Sequence, residues 1–379
     1  MPLPLADAFP EAVRTFKQWL AAAPRDGRCV VFCHYDADGL AAGALFGRAL
    51  PWLGFTDVVV VPSGRSESAF SDGARDRLRA MRPASLLVAD LGVHADGTLE
   101  ADGVPTLYVD HHRPSGAPAG GLLVSAYDWD PIPCTAWLAY GLLEAAVPDV
   151  DELRERDWIA AVGVISDLGD KAPWPMLADA RRRHTATWLK EATVLVNAAR
   201  RASAFQAQTA LDALLAADGP RALAESPEAE PLHAARAEVK AAMAEARRAA
   251  PVFSEQAAAV PGGVAPDGLR FALVRIDTPC QVHPLIAQQW RTRLPRYAVL
   301  CANAGFRAGR VAFSARTARD DVSLPALFQS LDTPGWNGRW GHGHDQASGG
   351  HLPPDVFADV LAALGFPAGV GGAGSPDGA

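Results

Sequence analysis

Long apolar runs are missing from this 379-residue chain. Nothing in it approaches the roughly 20 consecutive apolar residues needed to cross a bilayer, so a membrane-spanning reading has no support. The start, MPLPLADAFPEAVRTF, has no basic segment followed by an apolar one, and a cytoplasmic location is expected in place of secretion. Cysteine is scarce: Cys29, Cys33, Cys134, Cys280 and Cys301 have the spacing of neither a disulfide framework nor a zinc knuckle. Reduced, buried thiols are expected, including the Cys29/Cys33 pair on its apolar run. Positive charge is in deficit as well. With 35 Lys+Arg against 43 Asp+Glu the formal net charge is −8, so the field of the whole molecule repels nucleic acid. Any polyanion has to be held by local features such as metal ions, an arginine or backbone amides. Non-specific binding of long DNA is thereby disfavoured, and a small phosphate-bearing ligand fits better. No block of like charge and no repeat of fixed period interrupts the chain.

What is present is globular. Hydrophobic residues at 49% and charged residues at 21% supply enough apolar side chains for two or three cores, while 34 Gly and 30 Pro imply many turns. Apolar runs at 29–33 (CVVFC), 57–61 (DVVVV), 86–89 (LLVA) and 106–109 (TLYV) alternate with helical patterns at 40–50 and 72–81. Continuous apolar strands between helices indicate a doubly wound parallel sheet covered on both faces. Further helices are expected at 135–147 and 151–165, ended by the Pro-Trp-Pro at 173–175. We therefore expect an α/β domain over 1–178, a helical connector over 179–250 and a smaller α/β domain over 251–366. In the last of these, 269–276, 296–304 and 310–317 read as strands and 284–294, 322–331 and 355–364 as helices. The tail, 367–379, is mostly Gly, Ala, Pro and Ser and is expected to stay unordered.

Three of the four apolar runs in the first domain end in metal-ligand chemistry. The first leads into His34-Tyr35-Asp36-Ala37-Asp38-Gly39, the third into Asp90 and the fourth into Asp110-His111-His112. Ligands of open α/β sheets bind outside the carboxyl ends of the strands, so the three clusters converge on one rim. Crowded carboxylates repel one another and resist ionisation unless cations compensate them. Oxygen and imidazole donors without thiolates favour Mn²⁺, Mg²⁺ or Fe²⁺ over a structural zinc, with Mn²⁺ first. Two ions about 3.5–4 Å apart suit phosphoryl transfer, with Asp90, alone at its strand end, as the candidate bridge. Asp167, in Gly163-Val164-Ile165-Ser166-Asp167, ends an apolar helix and can close the ligand set of the second ion. Taken singly, Asp-x-Asp-Gly is commonly a turn or cap and Asp-His-His a surface cluster. Three such clusters in order, each directly after an apolar strand, are a rare joint event.

As an ordered series these motifs resemble the DHH family of phosphoesterases, which includes RecJ-type exonucleases, short-oligonucleotide ribonucleases, cyclic-dinucleotide phosphodiesterases and the second class of inorganic pyrophosphatases. The resemblance implies a first metal held by His34, Asp36 and Asp90, and a second by Asp38, Asp90, His111 and Asp167. It also implies His112 facing the substrate phosphate and Asp110 supporting the histidine pair. The C-terminal part resembles the DHH-associated substrate domain through Ser314-Ala315-Arg316-Thr317 and the Gly-rich loop Gly343-His344-Asp345-Gln346-Ala347-Ser348-Gly349. Ser314, Arg316, Gly343 and His344 are its candidate substrate contacts. Two departures stand out: His342 replaces the first of two glycines that usually precede the family's histidine, and Ala42 stands where relatives often carry serine.

The expected architecture is two α/β domains with a cleft between them, holding two divalent ions and a short oligonucleotide or cyclic dinucleotide that is cut to mononucleotides. A RecJ-type single-strand exonuclease, an inorganic pyrophosphatase and a nucleotide-binding scaffold are the rival readings, and a homodimer stays open. The Arg181-Arg182-Arg183 run reads as a solvated helix face.

Overall fold

The computed structural model describes residues 2–65, 67–258, 268–337, 340–367 and 369. Apart from residues 367 and 369, the tail expected to be unordered lies outside the described residues. The chain divides into two compact units, one of Met1–Arg200 with Ala204–Arg236 and one of Ala237–Ala379 with Arg201–Ser203.

In order, the first unit contains β1 (Leu3–Pro4), α1 (Leu5–Ala22), β2 (Arg28–Cys33), α2 (Ala37–Ala49), β3 (Asp57–Pro62), α3 (Asp72–Ala80), β4 (Ser85–Ala89), β5 (Thr106–Asp110), β6 (Leu122–Ser125) and β7 (Trp129–Asp130). There follow α4 (Thr135–Glu144), α5 (Val150–Arg154), α6 (Asp157–Asp167), α7 (Pro175–His184), α8 (Ala186–Arg201), α9 (Ala207–Ala216) and α10 (Pro220–Glu225). Five strands form a wholly parallel sheet in the order β3-β2-β4-β5-β6. Side chains alternate across a strand, and β2 shows why its sequence does not alternate in polarity. Val30 and Phe32 pack into a core with Ala74 and Leu78 of α3, while Cys29, Val31 and Cys33 pack into another with Leu40 and Phe46 of α2 and Phe16 and Trp19 of α1. Both faces are covered, so the sheet is doubly wound, and each fully buried large apolar side chain contributes about 1.5–3 kcal/mol.

The helices at 186–232 are part of this unit, since Leu189, Leu195, Leu211, Leu214, Leu223 and Leu232 belong to the same core as α1 and α2. The helix expected over 151–165 is two helices. The Asp149 carboxylate accepts from the amides of Asp151 and Glu152 and so caps the start of α5, which ends at Arg154. Asp157, fully buried and bonded by Arg183 Nε at 3.1 Å, starts α6 afresh. The strand β6 had no expectation, because its four residues follow a Gly/Ala/Pro-rich stretch that reads as loop. Among the described residues no helix is long and apolar enough to cross a membrane.

The second unit has α11 (Glu230–Ala246) entering it, then β8 (Val252–Phe253), β9 (Phe271–Ile276), α12 (His283–Arg293), β10 (Ala298–Arg307), β11 (Arg310–Thr317), α13 (Leu324–Ser330), β12 (His342–His344), β13 (Ala347–Leu352) and α14 (Pro354–Ala363). Its sheet order is β12-β13-β11-β10-β9-β8, parallel only between β9 and β10. Phe271, Leu273 and Phe313 meet Phe328 of α13 and Phe357 of α14, while Val274 and Cys301 meet Ile286 and Ala287 of α12.

Candidate metal centre

Strands β2, β4 and β5 are neighbours, and their carboxyl ends lie beside the point where the strand order reverses, the place such sheets offer to ligands. The backbone runs on past each strand: the His34 amide donates to Ala89 O at 3.0 Å and the Asp90 amide to Val109 O at 3.0 Å. Asp36 then caps α2, accepting from the Gly39 amide at 3.1 Å. Asp38, in the first turn of α2, is received by the start of α4: Oδ2 accepts from Thr135 N and Oδ1 from Ala136 N, both at 2.9 Å. Asp90 has φ +64°, a left-handed conformation that Asp tolerates better than most side chains but that still costs energy. Its Oδ1 accepts from the Thr135 hydroxyl at 2.9 Å.

These residues gather into three interlocking triads, His34–Asp36–Asp90, Asp38–His111–Asp167 and Asp90–His111–His112, with the ligand atoms of each within 4.8 Å of one another. Asp90 faces two of them with different oxygens. Its Oδ2 is 3.5 Å from His34 Nδ1, and its Oδ1 is 3.5 Å from His111 Nε2. His34 Nδ1 also lies 3.2 Å from Asp36 Oδ1, and His111 Nε2 lies 3.9 Å from both Asp38 Oδ2 and Asp167 Oδ2. Asp110 stands behind His112. Its Oδ1 accepts from the His112 amide at 2.6 Å and lies 3.0 Å from His112 Nδ1, while Oδ2 accepts from Gly92 N at 2.7 Å.

Proton affinities follow this crowding. Burial opposes charge on His111, but its contact with Asp90 and the charges of Asp38 and Asp167 outweigh burial and raise it to about 10. His112 rises to about 9, against burial, through Asp110 and Asp90. Burial likewise opposes the charge on His34, which Asp36 and Asp90 nonetheless hold well above the usual imidazole value. Asp90 is held at about 2, burial being outweighed by its contacts with His111 and His34. Asp36 is held well below the ordinary carboxylate range, against burial, by His34, with Arg200 helping. Asp38 goes the other way: burial first, then Asp90 and Asp167, push it well up. The donor set fits divalent cations. Protons on the histidines do the balancing that cations would do, and His34 Nδ1 is buried without a hydrogen-bond partner amid carboxylate oxygens. The nearby Cys134 thiol is pushed well up by burial and Asp38, so it stays neutral and the donors are oxygen and imidazole nitrogen.

In the second unit, β11 and β13 pair Ser314 with Gly349 and Arg316 with Ala347, and β12 pairs His344 with Ala347. Arg316, Ala347 and His344 thus lie in one row across three strands, and directly paired residues share a face of the sheet. The stretch 343–349, expected as a Gly-rich loop, lies within a β-hairpin formed by β12 and β13. Gly343 has φ +141°, and a Cβ there would meet Ala347 O at 2.2 Å, so the close pairing of β12 and β13 requires glycine. Arg316 is half-buried and donates Nη1 to Ala315 O at 2.9 Å, while Ser314 is buried on the same strand.

A scan against protein-family models finds no match, and a search of curated protein sequences finds none. Solved structures do match. The crystal structure of exonuclease RecJ bound to manganese aligns with a TM-score of 0.65 at 22% identity, over 97% of this chain and 96% of that one. RecJ from Thermus thermophilus in complex with Mn²⁺ gives 0.66 at 22% identity, over 97% of this chain but 56% of its own length. The DHH domain of a protein described as a member of a family of ribosomal proteins gives 0.67 at 12% identity, covering 95% and 91% of the two chains. The chain has the RecJ/DHH fold.

Within this fold several residues of the site carry no signal in the sequence. Thr135 serves both Asp38 and Asp90, and a threonine opening a helix is the one hint. Gly163 lets α6 approach α4 and α2, since a Cβ there would lie 2.3 Å from Ala136 Cβ and 2.9 Å from Asp38 Oδ1. Arg200 donates Nε to Asn197 Oδ1 at 3.2 Å, and Asn197 donates in turn to Ser166 Oγ at 2.8 Å, one residue from Asp167. The Arg181-Arg182-Arg183 run is taken up locally, by Asp170 O, Asp179 and Asp157 respectively.

Proposed function

We propose that this chain is a divalent-metal-dependent phosphodiesterase that cuts short oligonucleotides or cyclic dinucleotides to mononucleotides. The observation that carries this reading is the posture of Asp90, whose two carboxylate oxygens face two different nitrogen-containing triads. A carboxylate so placed can bridge a pair of ions. His34, Asp36 and Asp90 hold the first, and Asp38, Asp90, His111 and Asp167 the second, in this reading. Mn²⁺ is the preferred ion, with Mg²⁺ an alternative; RecJ structures carry either. When bound, the ions supply Lewis acidity that lowers the pKa of water and neutralises charge on a phosphoryl group.

The chain's own residues do the rest. Thr135 and the amides at the start of α4 fix Asp38 and Asp90, so the ligands need little rearrangement when charge develops. His112, held by Asp110 through Nδ1 and 42% exposed at its side chain, donates to a phosphoryl oxygen. In the second unit Arg316 and His344, with Ser314 and the Gly343 amide, are the proposed substrate contacts. A RecJ-type single-strand exonuclease is the second reading, favoured by the fold likeness to exonuclease RecJ along nearly its whole chain. The net charge of −8 supports the shorter substrates, because long strands bind through many phosphate contacts.

Product analysis with Mn²⁺ tests both readings, comparing a labelled dinucleotide, a longer single strand, a cyclic dinucleotide and pyrophosphate. Mononucleotides released fastest from the dinucleotides support the first reading. Faster stepwise shortening of the long strand supports the second, and hydrolysis of pyrophosphate alone, or of nothing, overturns both.

A further inference from the structure

Two aromatic rings stand beside the carboxylate–histidine cluster without joining any apolar core. Tyr35 lies between two members of one triad, His34 and Asp36. Its ring centroid is 4.3 Å from that of His34 and 5.4 Å from that of Phe205, which it meets edge-on at 80°. Phe205 comes from the turn after α8, closed by the Gln206 amide donating to Ala199 O at 2.9 Å. The Arg65 guanidinium lies 5.2 Å over the Phe205 ring and donates to Arg200 O at 3.2 Å. Both rings are half-buried, and neither belongs to the apolar clusters of the described residues.

This aromatic pair contributes to no core among the described residues and keeps apolar surface beside the cluster. Tyr and Phe rings backed by a guanidinium are what a nucleobase stacks on, whatever its identity, because every base presents a π-face. The position matters as much as the chemistry. A nucleotide whose phosphate reaches the triads has its base on a short tether, and Tyr35 adjoins His34 and Asp36 in the chain itself.

We propose that Tyr35 and Phe205 form the seat for one nucleobase of the substrate, so that the first unit selects base-bearing phosphoesters over base-free ones. This rests on the phosphodiesterase reading given above and adds a determinant of substrate class to it. The stacking contact favours a base-bearing ligand on the order of tenfold or more, without reading which base it is.

Calorimetric binding of adenosine 5′-monophosphate and of ribose 5-phosphate to the full chain with Mn²⁺ tests the seat, with dinucleotide hydrolysis followed in parallel. The wild type is expected to bind the nucleotide on the order of tenfold more tightly than the sugar phosphate. Tyr35→Ala and Phe205→Ala are each expected to bring that ratio towards one by weakening nucleotide binding, raising KM for the dinucleotide more than they lower kcat. Tyr35→Phe, which keeps the ring, is expected to keep the ratio. Phe205 lies away from the ligands in sequence, so its variant decides the matter if Tyr35→Ala disturbs His34 or Asp36. A wild type that cleaves dinucleotides but binds both ligands equally overturns the seat alone, as does a ratio unchanged in both alanine variants. A wild type that binds neither ligand and cleaves nothing overturns the phosphodiesterase reading and the seat with it.

Discussion

Binding of Mn²⁺ by the cluster is expected to displace protons, and the electrostatics of the metal-free site set how many. His111, at about 10, is protonated at pH 7, and only the neutral ring can ligate a cation. Removing that proton at pH 7 costs on the order of 4 kcal/mol, three pH units at 1.36 kcal/mol each. The ion at His111 has to overcome this, and its apparent affinity gains about tenfold for each pH unit up to that value. His34, also held well up by Asp36 and Asp90 against burial, adds to the protons released, as does Asp38, pushed up by burial and by Asp90. Calorimetric titration with Mn²⁺ at pH 7, in two buffers of different ionisation enthalpy, counts them directly. The stability of the metal-free protein runs the other way. The raised histidines stabilise it fully below their unfolded value of about 6.5 and cease to as pH rises through about 9 for His112 and about 10 for His111. The increase in Tm given by Mn²⁺ therefore grows between pH 6 and pH 9. An affinity flat over that range, with an enthalpy indifferent to the buffer, would refute the assignment of His34 and His111 as ligands.

Four substitutions probe the remaining parts. Asp90→Asn keeps the shape and removes the bridging charge, so Mn²⁺ binding at both positions and at least 100-fold of the hydrolysis rate are expected to be lost; wild-type turnover contradicts the bridge. Asp167→Ala is expected to abolish turnover while lowering the Mn²⁺ stoichiometry from two to one, read by the same calorimetry. Arg316→Ala is expected to raise KM for a dinucleotide by tenfold or more with kcat little changed, since its task is binding; a fall in kcat alone would move Arg316 to the chemical step. Gly163→Ala forces a methyl against Ala136 Cβ and Asp38 Oδ1 at 2.3 and 2.9 Å. Overpacking of this kind costs about 1–3 kcal/mol, or roughly 2–4 °C in Tm per kcal/mol; an unchanged Tm together with unchanged Mn²⁺ affinity would show that the helices yield without disturbing Asp38.

The convergence of His34, Asp36, Asp38, Asp90 and His111 on one rim was legible because parallel strands buried on both faces leave only their ends for polar chemistry. Once 29–33, 86–89 and 106–109 are strands of one sheet, the residues that follow them have one place to go. Thr135 and Gly163 were not legible in the same way. Their value lies in contacts with Asp38 and Asp90, 45 to 97 positions away for Thr135, which no local pattern records. The break between α5 and α6 was hidden for a related reason. Residues 151–165 carry helical spacing throughout, and the interruption is set by Asp157, whose buried carboxylate is claimed by Arg183 from 26 residues further on. Residues 343–349 of the hairpin read as a loop because Gly-rich composition signals one, while the glycines here serve close strand pairing.

The left-handed backbone at Asp90 connects these observations. A residue held at φ +64° persists only where its surroundings over-determine it, and here they do so from three sides. The Asp90 amide is fixed by Val109 O, its Oδ1 by the Thr135 hydroxyl, and its carboxylate as a whole by imidazoles on opposite edges. The unfavourable torsion goes together with a single carboxylate facing two triads, and the strand end at Asp90 is the position where a substitution reaches both at once.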